Sequence, residues 1–226
     1  MRTPYRSSAD IFDINDLASK DPYEQFQSWF DEACHTPNIG EANAMAIATA
    51  TKEGIPSVRM VLMKGFDHNG FKFFTNYESR KAKEIEENPH CSIMFYWDPL
   101  KRSVRIEGSI AKMPEEESMK YFKSRPVPSR LGAICSHQST VIPNREVLNK
   151  TYEDLLEEYK DEGKPIPKPD YWGGYLIKPT SFEFWQGQTN RLHDRLKFRR
   201  LQDGETIDPT VSHKTDKEWI IERLSP

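Results

Sequence analysis

The stretch NAMAIATATKEGIPSVRMVLMKGFDHNGFKFFTNY, Asn43 to Tyr77, alternates short runs rich in β-branched and aromatic residues with the turn-forming TKEGIP and DHNG. This punctuation predicts three antiparallel strands. Downstream, ESRKAKEIEENP reads as a helix stopped at Asn88-Pro89, and CSIMFYWDP and RSVRIEGSIAKM read as two more strands joined by DPLK. PEEESMKYFKSRP carries acids in its first turn and bases at its end, matching a helix dipole. A longer helix is expected from about Asn144 to Lys160, with Val147, Leu148, Tyr152, Leu155, Leu156 and Tyr159 on one stripe. After the stiff connector GKPIPKPD, four short segments, GGYLIKP, SFEFWQG, RLHDRLKFRR and EWIIERL, return to strand character. Upstream, DPYEQFQSWFDEAC sets Phe26, Trp29, Phe30 and Ala33 at helical spacing, whereas residues 1–20 are polar and irregular and are expected to be flexible. The fold class that follows is mostly β with inserted helices, a largely antiparallel barrel formed by a single domain over residues 21–226.

Composition narrows the function classes. The chain has 226 residues, 36% hydrophobic, with five Trp, nine Tyr and twelve Phe to fill a core. A formal charge of -3 argues against a broadly basic nucleic-acid surface. Cys34, Cys91 and Cys135 follow no CxxC spacing, and no signal peptide or membrane-length apolar run is present, so a cytoplasmic protein with reduced thiols is expected. No HExxH, zinc-spaced Cys/His cluster, G-x-G-x-x-G or Walker loop occurs; neither a metal site nor a Rossmann nucleotide site is expected.

Several segments suit anions. In FFTNYESRK a strand ends near Thr75 and a helix starts near Ser79, gathering free N–H groups beside Thr75, Arg80 and Lys81. An ordinary helix start with a solvated Arg-Lys pair suits the same residues. In YFKSRPVPSR, Tyr121 and Arg125 lie four apart on a helix, and Ser129 follows in a proline-containing turn. Arg59 and Lys64 interrupt an apolar strand, where an unpaired charge is costly to bury. SHQST, Ser136 to Thr140, offers short donors in a loop. If the chain is extended from Arg191, then Arg191, His193, Arg195, Lys197 and Arg199 face one way while Leu192, Leu196 and Phe198 face the other.

Taken together and in order, RMVLMKG, FFTNYESRK, YFKSRP, SHQSTVIP, WGGY and EFWQGQTNRLHDR closely resemble the pyridoxine/pyridoxamine 5'-phosphate oxidase family across nearly the whole chain. The resemblance implies an FMN-binding split β-barrel working as a homodimer, with FMN at the subunit interface. It also implies oxidation of pyridoxine or pyridoxamine 5'-phosphate to pyridoxal 5'-phosphate, with oxygen reduced to hydrogen peroxide. By the same resemblance, flavin contacts fall on Arg59, Met60, Val61, Leu62, Phe74, Thr75, Arg80, Lys81, Gln138, Ser139, Trp185 and Arg195. Substrate contacts fall on Lys64, Tyr121, Arg125, Ser129, Arg191 and His193, the last two lying over the pyridine ring as candidate catalytic residues. Arg2 and Tyr5 match the spacing of an N-terminal lid found in some relatives. The chain departs from the family in RSVR, where Ser103 stands in place of a flavin-contacting Gln, so a direct contact is replaced by water or lost. A noncatalytic carrier of flavin or pyridoxal phosphate is the alternative on the same fold; a nucleic-acid-binding barrel is disfavoured by the charge.

Overall fold

The computed structural model describes Tyr5, residues 10–161 and residues 163–226. In chain order the strands are β1 (Ala44–Ala50), β2 (Pro56–Leu62), β3 (Gly65–Asp67), β4 (Gly70–Asn76), β5 (His90–Trp97), β6 (Arg102–Lys112), β7 (Trp172–Gln186), β8 (Asp194–Arg200), β9 (Ser212–Lys214) and β10 (Trp219–Arg223). The helices are α1 (Pro22–His35), α2 (Arg80–Glu87), α3 (Glu115–Ser124), α4 (Val127–Cys135) and α5 (Glu146–Glu158). All strand pairings among the described residues are antiparallel, as the hairpin punctuation predicts.

The long strand β7 organises the sheet. One edge pairs with β6, while the other is shared: Trp172–Ile177 pairs with β4, and Ser181–Gln186 pairs with β8. The order β2-β1-β5-β6-β7-β8-β10-β9 therefore forks at β7, with β4 and β3 on the second branch. β2 and β4 touch, but no paired register joins them among the described residues. The barrel is split along that seam.

Alternation explains which face is filled. On β5, Cys91, Ile93, Phe95 and Trp97 are buried while Met94 and Tyr96 are exposed. Helix α1 starts where Asp21 accepts from the N–H groups of Tyr23 and Glu24 with Pro22 in the first turn, and it drives Phe26 between Phe71 and Phe95, each about 5.0 Å away. A second cluster of Phe122, Leu131, Ile166 and Trp172 fastens α3 and α4 over the first half of β7.

Several expectations are corrected. Ser129 lies in helix α4 rather than a turn, because Pro126 and Pro128 stand at its start, where a missing N–H is tolerated. Lys64 falls beyond the end of β2, in the link to β3. The last basic strand begins at Asp194; Arg191 has φ +67° and its N–H donates to the Gln188 carbonyl in a turn, so it does not share the strand alternation of Arg195. Packing also begins before residue 21, since Phe12 is buried, its N–H donates to Asp194, and Asp13 caps a 3-10 turn at Ile14–Asp16.

The β3–β4 turn depends on Gly70. Its φ is +137°, and a Cβ there would sit 1.9 Å from the Ile177 carbonyl oxygen of β7. Gly70→Ala is expected to cost about 2 to 4 kcal/mol, measurable as a lower denaturation midpoint with an unchanged slope.

Candidate active site

A cavity of about 450 Å³ opens between β2, β4, α3 and α4. At one end, Thr75 closes β4 and Lys81 enters from the first turn of α2. The Ser79 side chain makes no capping bond to that helix; it accepts instead from the Lys81 ammonium, at 3.3 Å. Lys81 Nζ also donates to Thr75 Oγ1 at 3.0 Å and to Gln138 Oε1 at 2.5 Å. Only 6% of Lys81 is exposed, and no carboxylate among the described residues pairs with it. Burial, reinforced by the charge of Arg59, pushes its pKa down to about 8. A buried cation surrounded by neutral oxygens suits a phosphate.

Lys64, Tyr121, Arg125 and Ser129 line the same cavity. Tyr121 stacks on Phe74 at 3.9 Å, and the Arg125 guanidinium lies 4.8 Å from the Trp172 ring. Arg125 Nη1 is buried with no hydrogen-bond partner, and burial lowers the pKa of this group. Two cationic groups thus await anions in one cavity.

A second cavity, of about 650 Å³, lies on the outer face of the sheet between β5, β6, β7 and β8. It gathers Trp185, His193 and Arg195 with Ser103 and Tyr5. Ser103 is flanked across the ladder by Tyr96 and Trp185, so the shorter side chain leaves room at the floor. Glu183 accepts from Arg195 Nε at 2.8 Å and from Arg105; burial raises its pKa, but these two arginines outweigh that and hold it below the ordinary value. The Gln188 N–H donates to His193 Nδ1 at 2.9 Å. Nδ1 is therefore an acceptor, and the neutral ring carries its proton on Nε2. Tyr5 stands edge-on to Trp185 and His193, with centroids 6.0 and 5.6 Å away.

The structure thus divides the expected set. Met60, Val61, Leu62, Phe74, Thr75, Lys81 and Gln138 join the four substrate-phosphate candidates at the first cavity, while Trp185, His193 and Arg195 line the second. Arg59 lies on the opposite face of β2 from Met60 and bonds Thr49 and Glu84. Arg80 and Ser139 line an adjoining hollow, and Arg191 is exposed in its turn outside both cavities. Arg2 lies outside the described residues. A cross-strand row, Met60–Ala46–Met94–Arg105–Glu183, connects the two cavities along the outer face, and Val58, Met60, Met94 and Tyr96 on that face are exposed.

Residues 31–158 match the family described as pyridoxamine 5'-phosphate oxidase, and residues 172–226 match the pyridoxine 5'-phosphate oxidase C-terminal dimerisation region. The chain belongs to the pyridoxamine 5'-phosphate oxidase family. It is 52% identical over 227 residues to the pyridoxine-5'-phosphate oxidase of Bos taurus, spanning 100% of this chain and 86% of that one. Identity to the pyridoxine/pyridoxamine 5'-phosphate oxidase of Bombyx mori is also 52%, over 226 residues, covering 100% and 88%. Among solved structures, PhzG from Burkholderia lata 383, in complex with tetrahydrophenazine-1-carboxylic acid, superposes with a TM-score of 0.81 at 28% identity, covering 96% of this chain and 98% of that one. The fold is thus the split barrel of this oxidase family, and no helix among the described residues is long and apolar enough to cross a membrane.

Three residues beside the two cavities are not among the candidates that the sequence offers. Trp172 carries Arg125, Glu183 orients Arg195, and Glu84 binds both Arg59 and Arg80. Glu183 had a signal, a carboxylate inside the apolar run SFEFW, to which the argument made for Arg59 applies equally. Asp21, Glu24 and His68 also converge, but the Lys217 ammonium bonds both carboxylates, which makes this an ion-pair cluster.

Proposed function

We propose that the chain is an FMN-dependent oxidase of pyridoxine 5'-phosphate and pyridoxamine 5'-phosphate, acting as a homodimer whose active sites each draw residues from both copies. The observation that carries this reading is a pair of cations in one cavity, buried Lys81 and half-buried Arg125 with its Nη1 enclosed, that have no anionic partner among the described residues, which fits a phosphate on the cofactor and another on the substrate. Bound FMN supplies the two-electron acceptor chemistry, with oxygen as the final acceptor, reduced to hydrogen peroxide; the substrate's alcohol carbon becomes the aldehyde of pyridoxal 5'-phosphate directly, whereas the amine becomes an imine that water hydrolyses to the same aldehyde and ammonia.

The chain's residues then bind and orient. Thr75, Arg80, Lys81, Gln138 and Ser139, with Arg59 behind them, hold the flavin phosphate, while Met60 to Leu62 and Phe74 form the wall beside it. Lys64, Tyr121, Arg125 and Ser129 hold the substrate phosphate. From the second copy, Trp185 and Arg195 meet the flavin, and Arg191 and His193 lie over the pyridine ring. His193 presents an Nε2–H, so in this tautomer it serves as a hydrogen-bond donor at the reacting group rather than a proton acceptor. Arg191, in its turn, supplies positive charge to the same place. Fixing two reactants in this way removes a large share of the entropic barrier to transfer.

The exposed apolar row from Met60 to Tyr96 supports placing the second copy over the face that joins the two cavities. Tyr5, against Trp185 and His193, fits a lid residue. Three free cysteines suit a reducing cytoplasm.

The test is anaerobic mixing of the FMN-loaded protein with pyridoxine 5'-phosphate, then oxygen. The flavin absorbance should bleach and recover with pyridoxal 5'-phosphate formed, and Arg191→Ala and His193→Ala should each slow the bleaching. Persistent colour with both the alcohol and amine substrates would instead describe a binding protein.

A further inference from the structure

Helix α2 turns its inner face towards β1 and β2, and Glu84 on that face is only 4% exposed. Its carboxylate accepts from four donors: Arg80 Nε at 2.9 Å, Arg59 Nη2 at 3.3 Å, and the hydroxyls of Thr49 and Ser57. Burial acts to raise its pKa, but these hydroxyl bonds and the two arginines hold it at about 2, so the group is ionised throughout the physiological range. Arg59 is further fixed by Thr49 Oγ1 at 2.5 Å and by Ser57. Arg80 is 61% exposed at its side chain, and it is Nε that bonds Glu84, so its terminal nitrogens are not used in that bond.

We infer that Glu84 is the positioning residue of the cofactor-phosphate site: it holds Arg59 and Arg80 in the orientation that meets a phosphomonoester and trims the local charge to match it. Arg59, Arg80 and Lys81 against one carboxylate leave two positive charges, the complement of a phosphomonoester dianion. The inference rests on the FMN reading above.

The geometry predicts the sign of the effect. By Coulomb's law alone, removing a negative charge beside a bound dianion tightens binding. Loss of a fixed orientation weakens it, because the neutral amide of a glutamine offers one acceptor where four donors converge. In fluorescence titrations of the apoprotein, Glu84→Gln should therefore bind FMN about tenfold or more weakly, with riboflavin, which lacks the phosphate, unchanged. In an Arg59→Gln/Arg80→Gln background the same substitution should have little further effect. Unchanged or tighter FMN binding, an equal loss for riboflavin, or a full additive loss in the double-arginine background would overturn the assignment. If Glu84→Gln does not fold, Glu84→Asp reads the same quantity, since it keeps the charge and withdraws the carboxylate by one methylene. A wild-type protein that fails to prefer FMN over riboflavin would sink the cofactor reading instead; an undiminished preference in the Glu84 variants would sink only this inference.

Discussion

Lys81→Met is expected to lower FMN affinity by roughly 10- to 100-fold, the worth of a charge-assisted bond to phosphate, while raising the melting temperature of the FMN-free protein. The two effects share one cause. Lys81 is buried among Thr75, Ser79 and Gln138 with no carboxylate partner among the described residues, so in the absence of an anion its charge opposes folding. Its ordinary pKa of 10.5 falls to about 8 in the folded chain. Below about pH 8 both folded and unfolded chains carry the proton, and the folded chain bears the full cost of burying it. Between about 8 and 10.5 the unfolded chain binds more protons, so this group makes stability rise with pH. Above that window neither state is charged and its contribution is flat. Subtracting the Lys81→Met melting curve from the wild-type curve across pH 7 to 11 isolates the group from the titrating tyrosines and thiols. A difference that does not narrow with rising pH would refute the account, as would FMN binding indifferent to the substitution.

Two inactive variants mixed together should recover activity. If each site takes Lys81 from one copy and Arg191 from the other, then a heterodimer of Lys81→Met and Arg191→Ala subunits contains one site with both defects and one with neither. Random reassortment makes half the dimers mixed, so at an FMN concentration that fills wild-type sites but leaves Lys81→Met sites largely empty, activity should return to about a quarter of wild type, from a small fraction in either variant alone. The measurement is the oxidase rate after the two purified variants are reassorted through mild denaturation and renaturation, with each variant treated alone as the control. If both residues served the same site within one copy, the mixture would stay as inactive as its parts.

Where a site is local in the chain, the sequence exposes it. The strand end at Thr75 and the helix start before Arg80 are six residues of contiguous chain, so their meeting is legible from turn and helix signals alone. Burial of Lys81 is not, because it depends on Gln138, which arrives from 57 residues away. The Arg195–Phe198 alternation holds, but it does not reach back to Arg191: a left-handed turn there breaks the period, and nothing in NRLHD announces a positive φ at an arginine. Ser129 departs from the expected turn for a related reason, since prolines that end one helix also begin the next. The division of the site between two cavities lies in cross-strand register, where Met60, Ala46 and Met94 align, and register is a tertiary fact. Glu84 shows both sides at once: its i,i+4 spacing to Arg80 is visible in RKAKE, while its hold on Arg59 is not.

The forked strand β7 carries Trp172 of the first cavity near one end and Trp185 of the second near the other. Thirteen residues of strand, at about 3.3 Å each, lie between them, and on the two-copy site proposed above the two halves of one β7 belong to different active sites. Cofactor occupancy then becomes a matter of mass action between subunits. On that reading, dilution that separates the copies should also release FMN, excess FMN should draw them back together, and the yellow colour of a preparation should double as a gauge of how much of it is assembled.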